Sequence, residues 1–328
     1  MQKRLRKYFK NKYFLIKIVL LCSLFLTKIN VSAQQTMDTI FIGESLFLDS
    51  VVIKAAKIGF DVQDFILRMQ RDESFYKAFR NLRTMTYYAD NQLFMFNKKQ
   101  KEKAVLKSRI HQKSDGKCRT MDVVEEIITG DLLDDSGAYN YYTAKLLDKL
   151  FFTHGKICDS EKDTKEMSDK GNPKINQHVN ELKKLIFKPG EPTDVPFIGA
   201  KTAIFSPEMQ PYYDYSVTSK VFNNKFDCYV FSAAVKSEFL TKNTQKTVIK
   251  YLETYFDKLS KQVVGRRYQL RYGGFWFDFD VKMEIELTKI GDKYVPQNIH
   301  YDGNWNVPLQ KREIAKFDIS FFDFENNK

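Results

Sequence analysis

From Phe275 to Leu287 every odd position is apolar (Phe275, Phe277, Phe279, Val281, Met283, Ile285, Leu287), and the even positions are Trp276, Asp278, Asp280, Lys282, Glu284 and Glu286. Side chains on a strand alternate between faces, so thirteen residues of alternation specify a long strand with one buried face. Val263–Tyr272 precedes it, with Tyr268, Leu270 and Tyr272 alternating against Arg267, Gln269 and Arg271. Gly273-Gly274 between the two runs reads as a two-residue hairpin connection. That register sets Tyr272 opposite Phe275, Leu270 opposite Phe277, Tyr268 opposite Phe279, and Arg267 opposite Asp280. Ile290-Gly291-Asp292 then reads as a three-residue turn, an odd length that lets Leu287 face Val295 and Met283 face Ile299.

Further strands are expected at Phe226–Val235 and along the alternating Ala315, Phe317, Ile319 and Phe321. Thr247–Phe256 suits a helix or a strand, and its strand neighbours favour a strand turning at Asp257–Lys261. Upstream, Thr84–Phe96 and Ala104–His111 are strand-like, with a turn at Ser114-Asp115-Gly116. Asp61–Leu82 has helical spacing, broken at Asp72-Glu73-Ser74, where Ser74 is placed to cap a second helix. Helices are also expected at Tyr141–Phe151 and about Ile175–Phe187, the latter stopped by Pro189-Gly190-Glu191-Pro192. Between them, 159–174 is highly charged and reads as a mobile surface loop. The fold class expected is α+β: a long antiparallel meander, a curved sheet or half-barrel, with an N-terminal helix and a few short covering helices.

The chain opens with a basic stretch (Lys3 to Lys12), an uncharged apolar run from Ile18 to Leu26, and Val31-Ser32-Ala33. This is the layout of a secretory signal peptide over 1–33. Phe14 to Leu26, interrupted by Lys17, is too short for a membrane span of roughly 20 apolar residues. The organisation expected is therefore a signal peptide at 1–33, a strand segment at 34–54, and one α+β domain over 55–328, exported to the periplasm or beyond. Residues 1–33 hold eight of the 53 Lys and Arg and none of the 41 acids, so the remainder carries +4 rather than +12. That balance removes the electrostatic case for nucleic acid. Cys118, Cys158 and Cys228 remain, and they fit either one disulfide with a spare thiol or three buried thiols.

No catalytic signature is present. His111, His154, His178 and His300 show no metal-ligand spacing, and no metal or cofactor is expected. Asp278 and Asp280, on one strand face near Arg267, are either a working carboxylate pair or a salt-bridged sheet surface. Tyr212, Tyr213 and Tyr215, with Phe275, Phe277 and Phe279, either line a greasy pocket or are plain core.

The runs LKKLIFKPGEPTDVPFIGAKTAIF, MQPYYDYSV and FDCYVFSAAVK, with the closing stretch from YFDKLSKQVVGRRYQLRYGGFWFDFD to NWNVP, resemble an uncharacterised family of exported Bacteroidetes envelope proteins. VVIKAAKIGFDVQDFILRMQRDESFYKAFRNLR extends the resemblance over most of the chain after residue 33. It implies secretion and an envelope architecture, and carries no activity. The order of elements and the aromatic strands are also similar, at fold level, to LolA/LolB-type lipoprotein carriers. The function expected is a non-catalytic envelope protein binding a hydrophobic ligand, a lipid or lipoprotein, or an outer-membrane partner. A secreted hydrolase using the carboxylate pair and a structural or adhesin-like module are the alternatives.

Overall fold

The computed structural model describes residues 62–158, 181, 183–195, 198–240, 245–274, 278–306 and 311–325. The expected signal peptide at 1–33, the expected strand segment at 34–54 and loop at 159–174, and Phe275 and Phe277 lie outside them. Eleven antiparallel strands form one open sheet: β1 (Thr86–Phe96), β2 (Glu102–Ser114), β3 (Cys118–Gly130), β4 (Ile157–Cys158), β5 (Tyr213–Phe222), β6 (Phe226–Val235), β7 (Ile249–Asp257), β8 (Val263–Gly273), β9 (Asp278–Ile290), β10 (Lys293–Asn306) and β11 (Glu313–Glu325). Their spatial order is β4-β3-β2-β1-β11-β10-β9-β8-β7-β6-β5. The sheet is thus two meanders joined where β1 pairs with β11, and the ambiguous segment at 247–256 is a strand. The sheet curls strongly at the β5 end. Phe222 of β5 would meet a Cβ added to Gly265 of β8 at 2.5 Å. In a flat sheet those strands lie roughly 14 Å apart, at three strand spacings.

One face carries the core. Ala89, Asn91, Leu93 and Met95 of β1 align with Phe321, Ile319, Phe317 and Ala315 of β11, and all are buried. Helices α1 (Val62–Arg71), α2 (Ser74–Arg83) and α3 (Tyr142–Phe151) cover this face. Phe65, Ile66 and Met69 of α1 and Phe75, Ala78 and Leu82 of α2 are its buried stripes, at the spacing a 3.6-residue turn requires. The opposite face is largely an ionic ladder, including Arg109–Asp90 at 2.7 Å and Arg271–Asp280 at 2.6 Å.

Three local expectations are corrected. Ser74 is the first residue of α2 rather than its cap; the Asp72 carboxylate accepts the N–H groups of Ser74 (3.2 Å) and Phe75 (3.3 Å). The β8–β9 connection is four residues, so Tyr272 faces Phe279, Leu270 faces Val281, Tyr268 faces Met283 and Arg267 faces Glu284. A shift by an even number of residues leaves every side chain on its expected face, which is why alternation did not reveal it. The β9–β10 turn is the two residues Gly291-Asp292, so Leu287 faces Pro296, and Met283 faces Tyr301. The odd residue expected in that turn is instead a bulge between Pro296 and Asn298, beyond which Ile299 and Ile285 pair on the buried face.

Cys118 and Cys158 sit directly opposite each other on β3 and β4 and form a disulfide, while Cys228 is a buried thiol. Burial pushes that thiol up to about 12, with Asp257 and Asp227 adding to the shift. Among the described residues no helix is long and apolar enough to cross a membrane.

Candidate functional site

The covered face is not filled everywhere. A cavity of about 100 Å³, partly open to solvent, lies where α2, the helical turn at 183–187, the end of α3 and the β1–β11 seam meet. Its sheet side is made by Tyr87 of β1, Gln112 of β2, Arg119 of β3, Ile285 of β9 and Phe321 of β11. The Tyr87 hydroxyl donates to Gln112 Oε1 (3.2 Å), and Gln112 Nε2 donates to the carbonyls of Leu82 (3.1 Å) and Met85 (2.9 Å). This buried chain ties the end of α2 to the first two strands, and Tyr87 packs edge-on against Phe321 at 5.4 Å. Burial holds the Tyr87 hydroxyl well above the ordinary tyrosine range, with the Arg119 and Arg83 charges pulling the other way. It is therefore a neutral donor at any physiological pH.

The helical side is aromatic. The ring of Phe187 lies 5.1 Å from Tyr76 and 4.9 Å from Phe79, so the 183–187 turn closes against α2 through edge-to-face contacts. The end of this turn is anchored by Arg266, a fully buried guanidinium on β8. Arg266 donates to the carbonyl of Ile186 (3.0 Å) and to Thr254 Oγ1 (3.1 Å), and lies 4.3 Å over the Phe75 ring. Tyr268 donates to the same carbonyl. A cation at carbonyls left over at a helix end satisfies both the hydrogen bonds and the local dipole.

Phe151 and Phe152, at the end of α3, form the remaining wall. The Glu313 carboxylate of β11 holds the other end of that helix, accepting the N–H groups of Tyr142 (2.7 Å) and Thr143 (2.8 Å) and the Thr143 hydroxyl (2.6 Å). Ile157 lines the cavity from β4, so Ile157 and Arg119 each adjoin a cysteine of the disulfide. Seven aromatic residues and five cations (Arg80, Arg83, Arg119, Lys149 and Lys183) stand among the lining residues. Among the described lining residues there is no carboxylate, histidine, serine or cysteine. Such a lining suits an apolar group bordered by positive charge. Among the described residues no cluster of His, Cys, Asp or Glu is arranged to hold a metal ion.

The residues singled out from sequence that the structure describes lie elsewhere. Tyr212 packs on Phe239 at 4.9 Å, Tyr213 donates to the carbonyl of Ile249 (2.7 Å), and Tyr215 donates to that of Ile204. Tyr213 and Tyr215 stack 6.1 Å apart within the core at the β5 end. Phe279 packs on Tyr272 at 6.1 Å, in a small separate cluster with Ile198 and Val248. Arg267 bonds Glu284 (2.6 Å) rather than Asp280; Asp280 pairs with Arg271 (2.7 Å), and Asp278 with Arg312 (2.6 Å). The two carboxylates are thus separately ion-paired on the ladder face. Sequence reading passed over Tyr87, Gln112 and Arg119. Gln112 had a usable signal: a lone amide continuing the apolar register of Ala104, Leu106 and Ile110.

No family model matches the chain, and no curated protein does. Three solved structures are similar at low scores. An outer membrane lipoprotein-sorting protein domain from Vibrio parahaemolyticus is 11% identical, with a TM-score of 0.27 over 80% of this chain and 91% of that one. A DUF1329 family protein from Desulfovibrio piger is 12% identical, with a TM-score of 0.25 over 80% and 90%. A LolA superfamily protein from Nitrosomonas europaea is 9% identical, with a TM-score of 0.22 over 76% and 90%.

Proposed function

We propose that this protein is a non-catalytic carrier of the cell envelope that holds an acyl chain of a lipid or lipoprotein in the cavity beside the β1–β11 seam. The observation that carries the reading is the lining: aromatic and aliphatic walls, partly open to solvent, without a carboxylate, histidine, serine or cysteine among the described lining residues. The disulfide supports an oxidising compartment, as the signal-peptide reading of 1–33 requires. At about 100 Å³ the cavity is smaller than the roughly 150 Å³ void that admits benzene. Closed, it therefore takes only the end of a chain; a longer chain, or a ring probe larger than benzene, enters by parting the Phe187–Phe79 contact.

The test is fluorescence of N-phenyl-1-naphthylamine, a neutral probe that brightens in apolar sites, displaced by dodecyl compounds. Leu150→Trp adds an indole to the lining from the half-buried end of α3. The expected result is saturable probe binding by the native protein, weakened about tenfold in the variant at unchanged melting temperature, since filling a site removes the area a ligand buries. A native protein that leaves the probe dark, or a variant that binds it equally well, would defeat the proposal.

A further inference from the structure

We infer that the ligand of this cavity is an anionic amphiphile, whose carboxylate or phosphate is held by Arg83 and Arg119 beside Tyr87 while its chain lies against the aromatic walls. The inference rests on the carrier reading and adds the chemistry of the polar end.

A site for a neutral chain has no use for charge at its walls, because every cation brought there loses hydration. This cavity has five cations and no carboxylate among its described lining residues. They are not all surface decoration. Arg119 is buried and shares the covered face with Gln112, and Arg83 is half-buried at the end of α2. Both fields converge on one point, the buried Tyr87 hydroxyl, where each opposes the effect of burial. Arg80 of α2, Lys149 of α3 and Lys183 of the 183–187 turn stand along the helical walls.

A guanidinium has five N–H donors in a planar fork, so one that already serves a neighbour still offers donors to an incoming oxyanion. Carboxylate and phosphate both match that fork, and bonds to an ionised oxygen are roughly twice as strong as neutral ones. Tyr87 and Gln112 carry no charge, and their donors are already committed to each other and to the Leu82 and Met85 carbonyls, so the oxyanion falls to the guanidinium groups. Phe151, Phe152, Ile285 and Phe321 supply the apolar surface for the chain.

The experiment displaces N-phenyl-1-naphthylamine from the full-length protein with four ligands of equal chain length, below their micelle concentrations: dodecanoate, dodecyl phosphate, dodecanol and dodecyltrimethylammonium. Inorganic phosphate and acetate are run beside them. The expected order places both anions about tenfold ahead of dodecanol and places the cation last, with the anionic advantage shrinking as salt rises. Arg83→Gln and, separately, Arg119→Gln should each lower the ratio of dodecanoate to dodecanol affinity about tenfold. The ratio is read within one variant, so a partly weakened fold cancels. Arg83→Lys, which keeps the charge and loses the fork, should fall between native and Gln.

Equal displacement by all four dodecyl ligands would overturn the anionic inference and leave the carrier reading standing. Inorganic phosphate competing as well as dodecyl phosphate would overturn it differently, by showing an anion site with no use for the chain. Probe binding that no dodecyl compound displaces would remove the carrier reading, and this inference with it.

Discussion

Removing the Cys118–Cys158 disulfide should cost the protein about 4 kcal/mol. The two cysteines are 40 residues apart in the chain and directly opposite on antiparallel strands. In the chain-entropy account, closing a loop of that length removes about 13 cal/mol/K from the unfolded ensemble, or about 4 kcal/mol at 25 °C. The native side of the balance is unusually dependent on it. β4 is two residues long, paired to β3 only at Cys118–Cys158 and Arg119–Ile157, so little else holds it to the sheet. Cys118→Ser/Cys158→Ser should therefore lower the urea unfolding free energy by about that amount, and the reduced native protein should match the variant. The free-thiol titre of the unfolded chain should rise by two on reduction. Ile157 and Arg119 line the cavity, so dodecanoate binding should weaken in the same variant. A loss below about 1 kcal/mol would refute the reasoning, because it would mean that the unfolded chain gains little freedom when the link is cut. So would a titre that reduction does not change.

Burial lowers the Lys250 ammonium to about 8, with Arg271 and Lys201 adding to the shift and Asp280 opposing it. Between about 8 and the ordinary lysine value near 10.4 the unfolded chain holds a proton that the folded one does not, so this group makes stability rise with pH across that window. Lys250→Met should accordingly stabilise the protein at pH 7, by at most about 3 kcal/mol and less for the lost bonds to Thr247 at 2.7 and 3.0 Å. Paired urea titrations from pH 7 to 10.5 should show the difference between variant and native protein closing as pH rises; a constant difference would contradict the assignment. Glu313→Ala leaves two N–H groups and a hydroxyl at the start of α3 without their acceptor, which should cost about 2 kcal/mol. Faster hydrogen exchange at Tyr142–Phe151 than at β1 would show the loss is local.

Alternation in the residues identified the β8, β9 and β11 faces, although only β11 has one plainly wet and one dry side; β8 is buried on both sides over most of its length and β9 is half-buried on both. Alternation could not fix their registers. A four-residue connection in place of two preserves the parity of every position, and the bulge near Asn298 restores a parity that the shorter turn broke. Strand β3 was missed for a different reason. Most of it lies beyond the helical cover, with Val123, Val124, Ile127 and Ile128 exposed, so no periodic difference between faces exists to be read. The disulfide was open at the outset because three cysteines allow three pairings and spacing ranks none of them; sheet topology decides among them by placing two on facing strands.

The cavity was hidden for a topological reason rather than a chemical one. Tyr87 and Phe321 touch across the seam where β1 meets β11, at opposite ends of the described chain. No local pattern records that neighbourhood, since every other pair of neighbouring strands in the sheet is consecutive in the chain. The same seam links binding to folding. A ligand that spans Tyr87, Phe321, the α2 aromatics and the end of α3 touches both meanders at once, and it finds its site only when they are joined. Its binding free energy must then appear as stability of the seam, by the mass-action rule that anything binding the native state alone stabilises it. A carrier built this way would resist unfolding most when loaded.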